Sequence, residues 1–491
     1  MNWFHKSAVI ILGVILLNSC RTGDNAKHID LNREPAIEPD YSGVTIPVNI
    51  APLNFIIKEK GDLFHIAVVA PDGNKLTLKS SDGIVQFPLK SWRKLLSGSK
   101  GCKIAVEISS VQGKDPTIKF DPFFINVAQE PADEYLCYRM LYPGYETYLD
   151  IKIVQRNITS FKENSLAENQ LLNHNCVNCH TFNNNNPDRF LLHIRGDMGG
   201  TYFIKGNKII RTDLKNDSLN SGAVYPAWHP GGRYVAFSSN NIRQSFHSSP
   251  EENIEVTDLS ALLVVYDTEK NILSPVGEKD TIKYMDTFPE WSPDGKYLYF
   301  CRALQYKDGD DLKSIKYDLM RKSFDQESGS FGDAEKIFDA RTINKSVSFP
   351  RLSPDGKYLV FTLHDYGNFS IWHKEADLYL IDLQDMKVNK MSVNSNETES
   401  YHGWSSNGKW LVFSSKRGDG LTARPYFAYF GSADMVGKPF VLPQKDPTFY
   451  GRLIRTFNRP EFVTGEIKFG PRDFAAAAGQ EPLKPKWVRN K

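Results

Sequence analysis

One pattern recurs four times in the second half of the chain and restricts its fold more than any other feature. Tyr225-Pro-Ala-Trp228-His-Pro-Gly-Gly-Arg-Tyr-Val-Ala-Phe237 is matched by Phe288-Pro-Glu-Trp291-Ser-Pro-Asp-Gly-Lys-Tyr-Leu-Tyr-Phe300. Phe349-Pro-Arg-Leu352-Ser-Pro-Asp-Gly-Lys-Tyr-Leu-Val-Phe361 is the third copy, and Tyr401-His-Gly-Trp404-Ser-Ser-Asn-Gly-Lys-Trp-Leu-Val-Phe413 the fourth. Positions 228, 291, 352 and 404 are equivalent, giving steps of 63, 61 and 52 residues. A period of about 50 with the excess in loops is the signature of a propeller. Each copy reads as strand, tight turn, strand. The aromatic and the Trp or Leu before the turn are expected to pack one face. Pro presets φ within the turn and Gly relieves crowding at its end. Lys-Tyr-Leu-Val-Phe then alternates out and in as a half-buried strand. Further β-rich runs follow at Leu262–Asp267, Leu378–Leu383 and Pro425–Phe430, and Thr201–Leu214 offers strands of a further blade. Five or six blades are expected over 200–470, the last closed by strands from another part of the chain.

These four copies resemble the repeats of TolB-like propellers, over roughly residues 200–440. The first copy departs with His229 and Gly232, the fourth with Ser406-Asn407, and turn chemistry survives both. Lipoproteins that this chain resembles combine a β-rich N-terminal region, a single Cys-x-x-Cys-His and such a propeller. The resemblance implies an interaction platform for a protein partner and supplies no reaction.

At 491 residues, two or three domains are expected. Met1–Lys6 is short and cationic, and Ser7–Leu17 is apolar over a length suited to a signal-peptide core and too short to span a bilayer. The run ends at Leu17-Asn-Ser-Cys20, which resembles a lipobox, with Asn18 departing from its commonest form. Residues 1–19 are therefore expected to be a lipoprotein signal, Cys20 the lipidated residue, and 20–45 a polar tether. The expected location is the periplasmic side of the envelope, at the outer membrane before the inner one. Several acyl chains would give durable attachment. Residues 46–160 carry short alternating runs at His65–Ala70, Lys75–Leu78, Ile104–Ser109, Phe123–Val127 and Leu149–Val154. They predict an N-terminal sandwich of immunoglobulin or fibronectin type, making the whole chain mainly β. Residues 471–491 read as a capping helix and a Pro-stiffened tail.

Between sandwich and propeller, in a short helical segment expected over 161–199, lies His174-Asn-Cys176-Val-Asn-Cys179-His180. Cys-x-x-Cys-His is the attachment signature of c-type haem, and composition alone gives on the order of 0.002 such matches in this chain. One helical turn would place both sulfurs of Cys176 and Cys179 under the porphyrin, with His180 as the proximal iron ligand. His193 and Met198 are candidate distal ligands, the first setting a lower potential than the second. His174, His229 and His247 are less local options. A structural zinc site using Cys176, Cys179 and nearby histidines, a redox pair and a local disulfide are the competing readings. Cys102 and Cys137 are a further candidate pair for a bridge, while Cys301 reads as a small buried residue.

With 60 basic and 58 acidic side chains the formal net charge is +2, which leaves no electrostatic footprint for nucleic acid. No Gly-x-Ser-x-Gly elbow, His-Glu-x-x-His or phosphate loop points to a hydrolase or lyase. Two functions thus stand side by side: a haem lipoprotein for electron transfer or redox sensing, and a binding scaffold whose Cys-x-x-Cys-His site is structural.

Overall fold

The computed structural model describes residues 28–144, 148, 150–215, 219, 222–247, 254–277 and 283–488. The signal segment and Cys20 lie outside the described residues. The chain is mainly β and of propeller type. Among the described residues, six sheets of at least four strands each stand around one axis. Blade 1 runs outward through Cys176–Phe182, Arg189–Arg195, Gly200–Lys205 and Lys208–Thr212. Blades 2 to 5 follow the same order, beginning at Ala223–Trp228, Tyr284–Trp291, Ser346–Leu352 and Glu399–Trp404. Blade 6 takes its innermost strand, Thr456–Val463, from the end of the propeller. Its outer three, Tyr135–Leu141, Lys152–Asn157 and Glu163–Glu168, come from before blade 1. Each innermost strand touches the next, and the last returns to the first. A composite blade joins the two ends of the array, so the ring closes and only the outermost strand of each blade is left as an edge.

The repeated motif is the hairpin between the first and second strands of a blade. Ser292 donates its hydroxyl to Asp294 at 2.6 Å and accepts the amide of Tyr297 at 2.9 Å, while Gly295 takes a φ of 72°. Ser353 and Ser405 repeat the arrangement with Asp355 and Asn407. In the first copy His229 replaces Ser, its Nδ1 accepting the amide of Gly231 and its Nε2 lying 3.1 Å from the carbonyl of Gly295 in the next blade. His229 is thus a link between blades 2 and 3. The aromatic and the Trp of each motif do not share one face. A β-bulge between them turns the aromatic to the axis, while Trp228, Trp291 and Trp404 pack between blades.

Residues 28–127 build the N-terminal unit. Leu63–Val69, Lys103–Val111 and Phe123–Val127 belong to a seven-stranded sheet, Phe55–Ile57 to a three-stranded one, and the helix Leu89–Ser97 contributes the fully buried Trp92. Its core continues into blades 5 and 6 through Trp410, Phe427 and Phe457. The tether expected over 20–45 is therefore too long. Tyr41 and Val44 are buried in this core, and Thr45–Ile46 pairs with Phe123–Val127. The boundary expected at 160 moves as well, because 135–168 belong to blade 6. Cys102 is exposed in the N-terminal unit and Cys137 buried in blade 6, both with free thiols; Cys301 is buried and free. At the C-terminus, helix Pro471–Ala478 buries Phe474 against blades 6 and 1, and Lys486–Trp487 adds a parallel strand to blade 2.

Candidate functional site at the propeller axis

Five innermost strands share one irregular residue. Tyr225, Phe288, Phe349, Tyr401 and Arg459 all sit at the bulge with φ between 50° and 53°. A bulky residue at positive φ is strained unless its surroundings hold it there. Here the strain turns the side chain into the axis. The ring centroids of Tyr225 and Phe288 lie 4.5 Å apart, those of Phe288 and Phe349 4.1 Å, and those of Phe349 and Tyr401 4.9 Å. Four rings packed edge-to-face and tilted plug the channel.

The Cys-x-x-Cys-His segment is the sixth such strand. The helix expected there is absent: Cys176–Phe182 is extended and pairs with Arg189–Arg195, with a register shift between Val177 and His180. Asn178 therefore stands where the other blades carry the axial aromatic or Arg459, and Cys179 where four of them carry proline. The local signal for this was the turn-rich Asn183–Asp188 followed by Arg-Phe-Leu-Leu, a degenerate copy of the repeat that is hard to read without the strand pairing.

Strand geometry parts the motif's side chains. Cys176 is half-buried near the channel mouth, its thiol pushed up by burial against the opposing pull of Arg139 and Arg195. Cys179 is buried beside Arg459, Tyr225 and Tyr401. His180 pairs with Leu192 and shares its side of the sheet, facing the core between blades 6 and 1. It is fully buried, and neither ring nitrogen makes a regular hydrogen bond. Burial, helped by Arg459 and Arg139, lowers its pKa to about 3, so the imidazole is neutral. His193 lies on the opposite face of blade 1, 3.2 Å from Thr201 Oγ1 and beside Gly222 of blade 2. With a sheet between them, His193 and His180 do not flank one iron. Met198 occupies the turn after Arg189–Arg195, where its amide donates to Asn175 and its carbonyl accepts from Tyr202. His174 is exposed at a φ of 56°, and His247 lies 3.1 Å from Glu255.

A haem c needs both sulfurs and the axial imidazole on one side of a porphyrin plate. Here Cys179 turns to the axis, His180 turns to blade 6, and neither lines a cavity. In this conformation the three residues do not fit the group. Among the described residues, no set of three or more His, Cys, Asp or Glu side chains is placed to hold a metal ion either, so the zinc arrangement is not formed.

Cavities open at both ends of the axial plug. On the Cys176 side, Arg139, Arg195 and Lys416 line one walled by Tyr142, Tyr225 and Trp372. On the other, Glu290, Glu461 and Arg351 line one walled by Trp228, Trp291 and Trp404. Burial pushes Glu461 up to about 7 against the opposing charges of Arg459 and Arg351, and Arg351 donates to Glu290 at 2.9 Å. The first mouth is thus basic, while the second sets two carboxyls of raised pKa against one arginine.

No protein-family model and no curated protein matches this sequence. Among solved structures, a chain of a nidogen/laminin complex is 8% identical with a TM-score of 0.40, covering 67% of this chain and all of that one. An oligogalacturonate lyase in complex with manganese is 14% identical with a TM-score of 0.33, covering 63% of this chain and 73% of that one. A puromycin-hydrolyzing peptidase of Mycobacterium tuberculosis is 11% identical with a TM-score of 0.32, covering 85% of this chain and 57% of that one. At these scores none bears on the chemistry of the site.

Proposed function

We propose that this protein is a TolB-like binding propeller, held at the bacterial envelope by lipid on Cys20, which presents its channel to a ligand or protein partner. The reading is carried by one observation: Cys176, Cys179 and His180 are built into the innermost strand of blade 1. There they act as wall and packing of the channel, and His180 serves the seam between blades 6 and 1. The apolar run Ser7–Leu17 ending at Cys20 supports the anchor.

A second reading is a covalent haem serving electron transfer. Its specific support is His180, a fully buried neutral imidazole whose nitrogens make no regular hydrogen bond and have only the backbone of Cys137 and Arg459 near them, which is an uncommon state for a buried polar group. This reading requires strand Cys176–Phe182 to refold when the cofactor is attached. A pyridine haemochrome spectrum decides between the two. The full chain is made with the cytochrome c maturation machinery, beside a Cys176→Ala, Cys179→Ala double variant. The scaffold reading expects a colourless protein and a folded double variant. A covalent haem signal that the double variant lacks would overturn it.

A further inference from the structure

We propose that the cavity over Cys176 is a binding site for a small organic carboxylate with an apolar body. The proposal rests on the binding-propeller reading and names the ligand class of its basic mouth. Three cations converge there from three blades. Arg139 comes from Tyr135–Leu141 of blade 6, Arg195 ends Arg189–Arg195 of blade 1, and Lys416 follows Trp410–Ser415 of blade 5. Burial lowers the Lys416 pKa to about 7 against the pull of Glu397 and Asp419, so the two guanidiniums carry the permanent charge and a bound anion would draw the proton onto Lys416. Among the described residues lining this cavity there is no Asp or Glu.

That imbalance sets the site apart from the rest of the propeller. Four half-buried arginines elsewhere have carboxylates: Arg233 has Asp267, Arg302 has Asp286, Arg351 has Glu290 and Arg417 has Glu399, while Arg211 is held by backbone carbonyls. At the mouth, Arg139 spends one nitrogen on Asn178, the residue between the motif's cysteines, while its Nε is buried without an acceptor. Arg195 makes no hydrogen bond or ion pair among the described residues. Lys416 is only 4% exposed, and its Nζ lies 3.5 Å from the centroid of the Trp372 ring with no carboxylate at ion-pair distance. Buried cations and donors left unpaired are costly, and an incoming anion is the group that relieves them.

The remaining wall narrows the class. Tyr142, Ile254, Phe369 and Trp372 present apolar surface, and Asn178 and Asn458 add amides. Apolar walls with a few converging polar groups are the usual composition of a small-molecule site. A guanidinium fork matches a carboxylate in two parallel hydrogen bonds, which favours Arg139 and Arg195 as its seat. The space, about 100 Å³ reachable by water, suits a head group and a short body.

Isothermal titration of the full lipidated chain in nanodiscs, against empty nanodiscs, tests this. Phenylacetate is expected to bind, and inorganic phosphate, which lacks the apolar body, to bind at least tenfold more weakly. Arg195→Gln removes no hydrogen bond or ion pair among the described residues, its fold is checked by circular dichroism, and it is expected to weaken phenylacetate at least tenfold. Lys416→Met is expected to weaken it severalfold. Phosphate binding as tightly as phenylacetate would overturn the ligand class. Absent binding, or affinity unchanged in both Arg195→Gln and Lys416→Met, would overturn the site. A haemochrome signal on the same preparation bears on the scaffold reading alone, so the two failures are distinguishable.

Discussion

Asp258 shows how much rests on single side chains inside this ring. It is buried on the third strand of blade 2 and accepts hydrogen bonds from Asn240 and Tyr317, each at 2.8 Å, and from Asn368. Burial nevertheless raises its pKa to about 6, with those three donors opposing. A carboxyl whose folded pKa exceeds its unfolded value stabilises the fold fully below about 3.8, and that contribution is lost as pH rises through about 6. Wild type should therefore lose roughly 2 kcal/mol relative to Asp258→Asn between pH 4 and 6.5. Urea titrations of both proteins across that range check it, and parallel curves would show that the burial is relieved some other way. His402 titrates in the opposite sense. Burial lowers its pKa to about 3, outweighing its 2.9 Å contact with the Val360 carbonyl, so its contribution is present above about 6.5 and lost towards pH 3. Neither effect was legible in the sequence, because burial is a property of the packed ring. At Cys176, Cys179 and His180 the residue types were legible and their conformation was not. The motif is defined by helical spacing, and the pairing with Arg189–Arg195 overrides it.

Within each blade the hairpin is the unit that the sequence spells out. Ser-Pro-Asp-Gly predicts the turn, and its hydroxyl-to-carboxylate bond, its closing amide and its Gly at positive φ recur in consecutive blades. Gly295→Ala should destabilise by about 1–3 kcal/mol, since it forces a φ of 72° on a residue with a Cβ and drives that atom into His229. Thermal denaturation measures this, and the same change at Gly113, which has open space around it, isolates the backbone part. The bulge was not legible. A positive φ at Tyr225, Phe288, Phe349 and Tyr401 contradicts the preference of aromatic residues, and it is held by the strand pairing on either side of the bulge and by the packing of the four rings at the axis. For the same reason the motif's aromatic and its Trp look like partners in sequence and part company in the fold.

On the scale of the whole molecule, closure depends on residues more than 300 positions apart, since Tyr135–Leu141 pairs with Thr456–Val463. Truncation after 455 should strip Tyr135–Leu141, with its fully buried Leu136 and Tyr138, of its partner on the axial side, leaving only Lys152–Asn157, and abolish cooperative unfolding. Truncation after 480 should leave the ring folded, with circular dichroism melts and limited proteolysis reporting both. From sequence alone came the β class, the repeat, its turns and the presence of a cysteine-histidine motif, because these depend on residue types a few positions apart. Tertiary structure decided which distant strands form the composite blade, that 28–45 are ordered against the N-terminal unit rather than a tether, with Tyr41 and Val44 in its core, and that the motif is a channel strand. It also gathered Arg139, Arg195 and Lys416 at one mouth. Those outcomes depend on which distant strands pair and which cations lack a counter-charge, and neither is written in any local stretch of the chain.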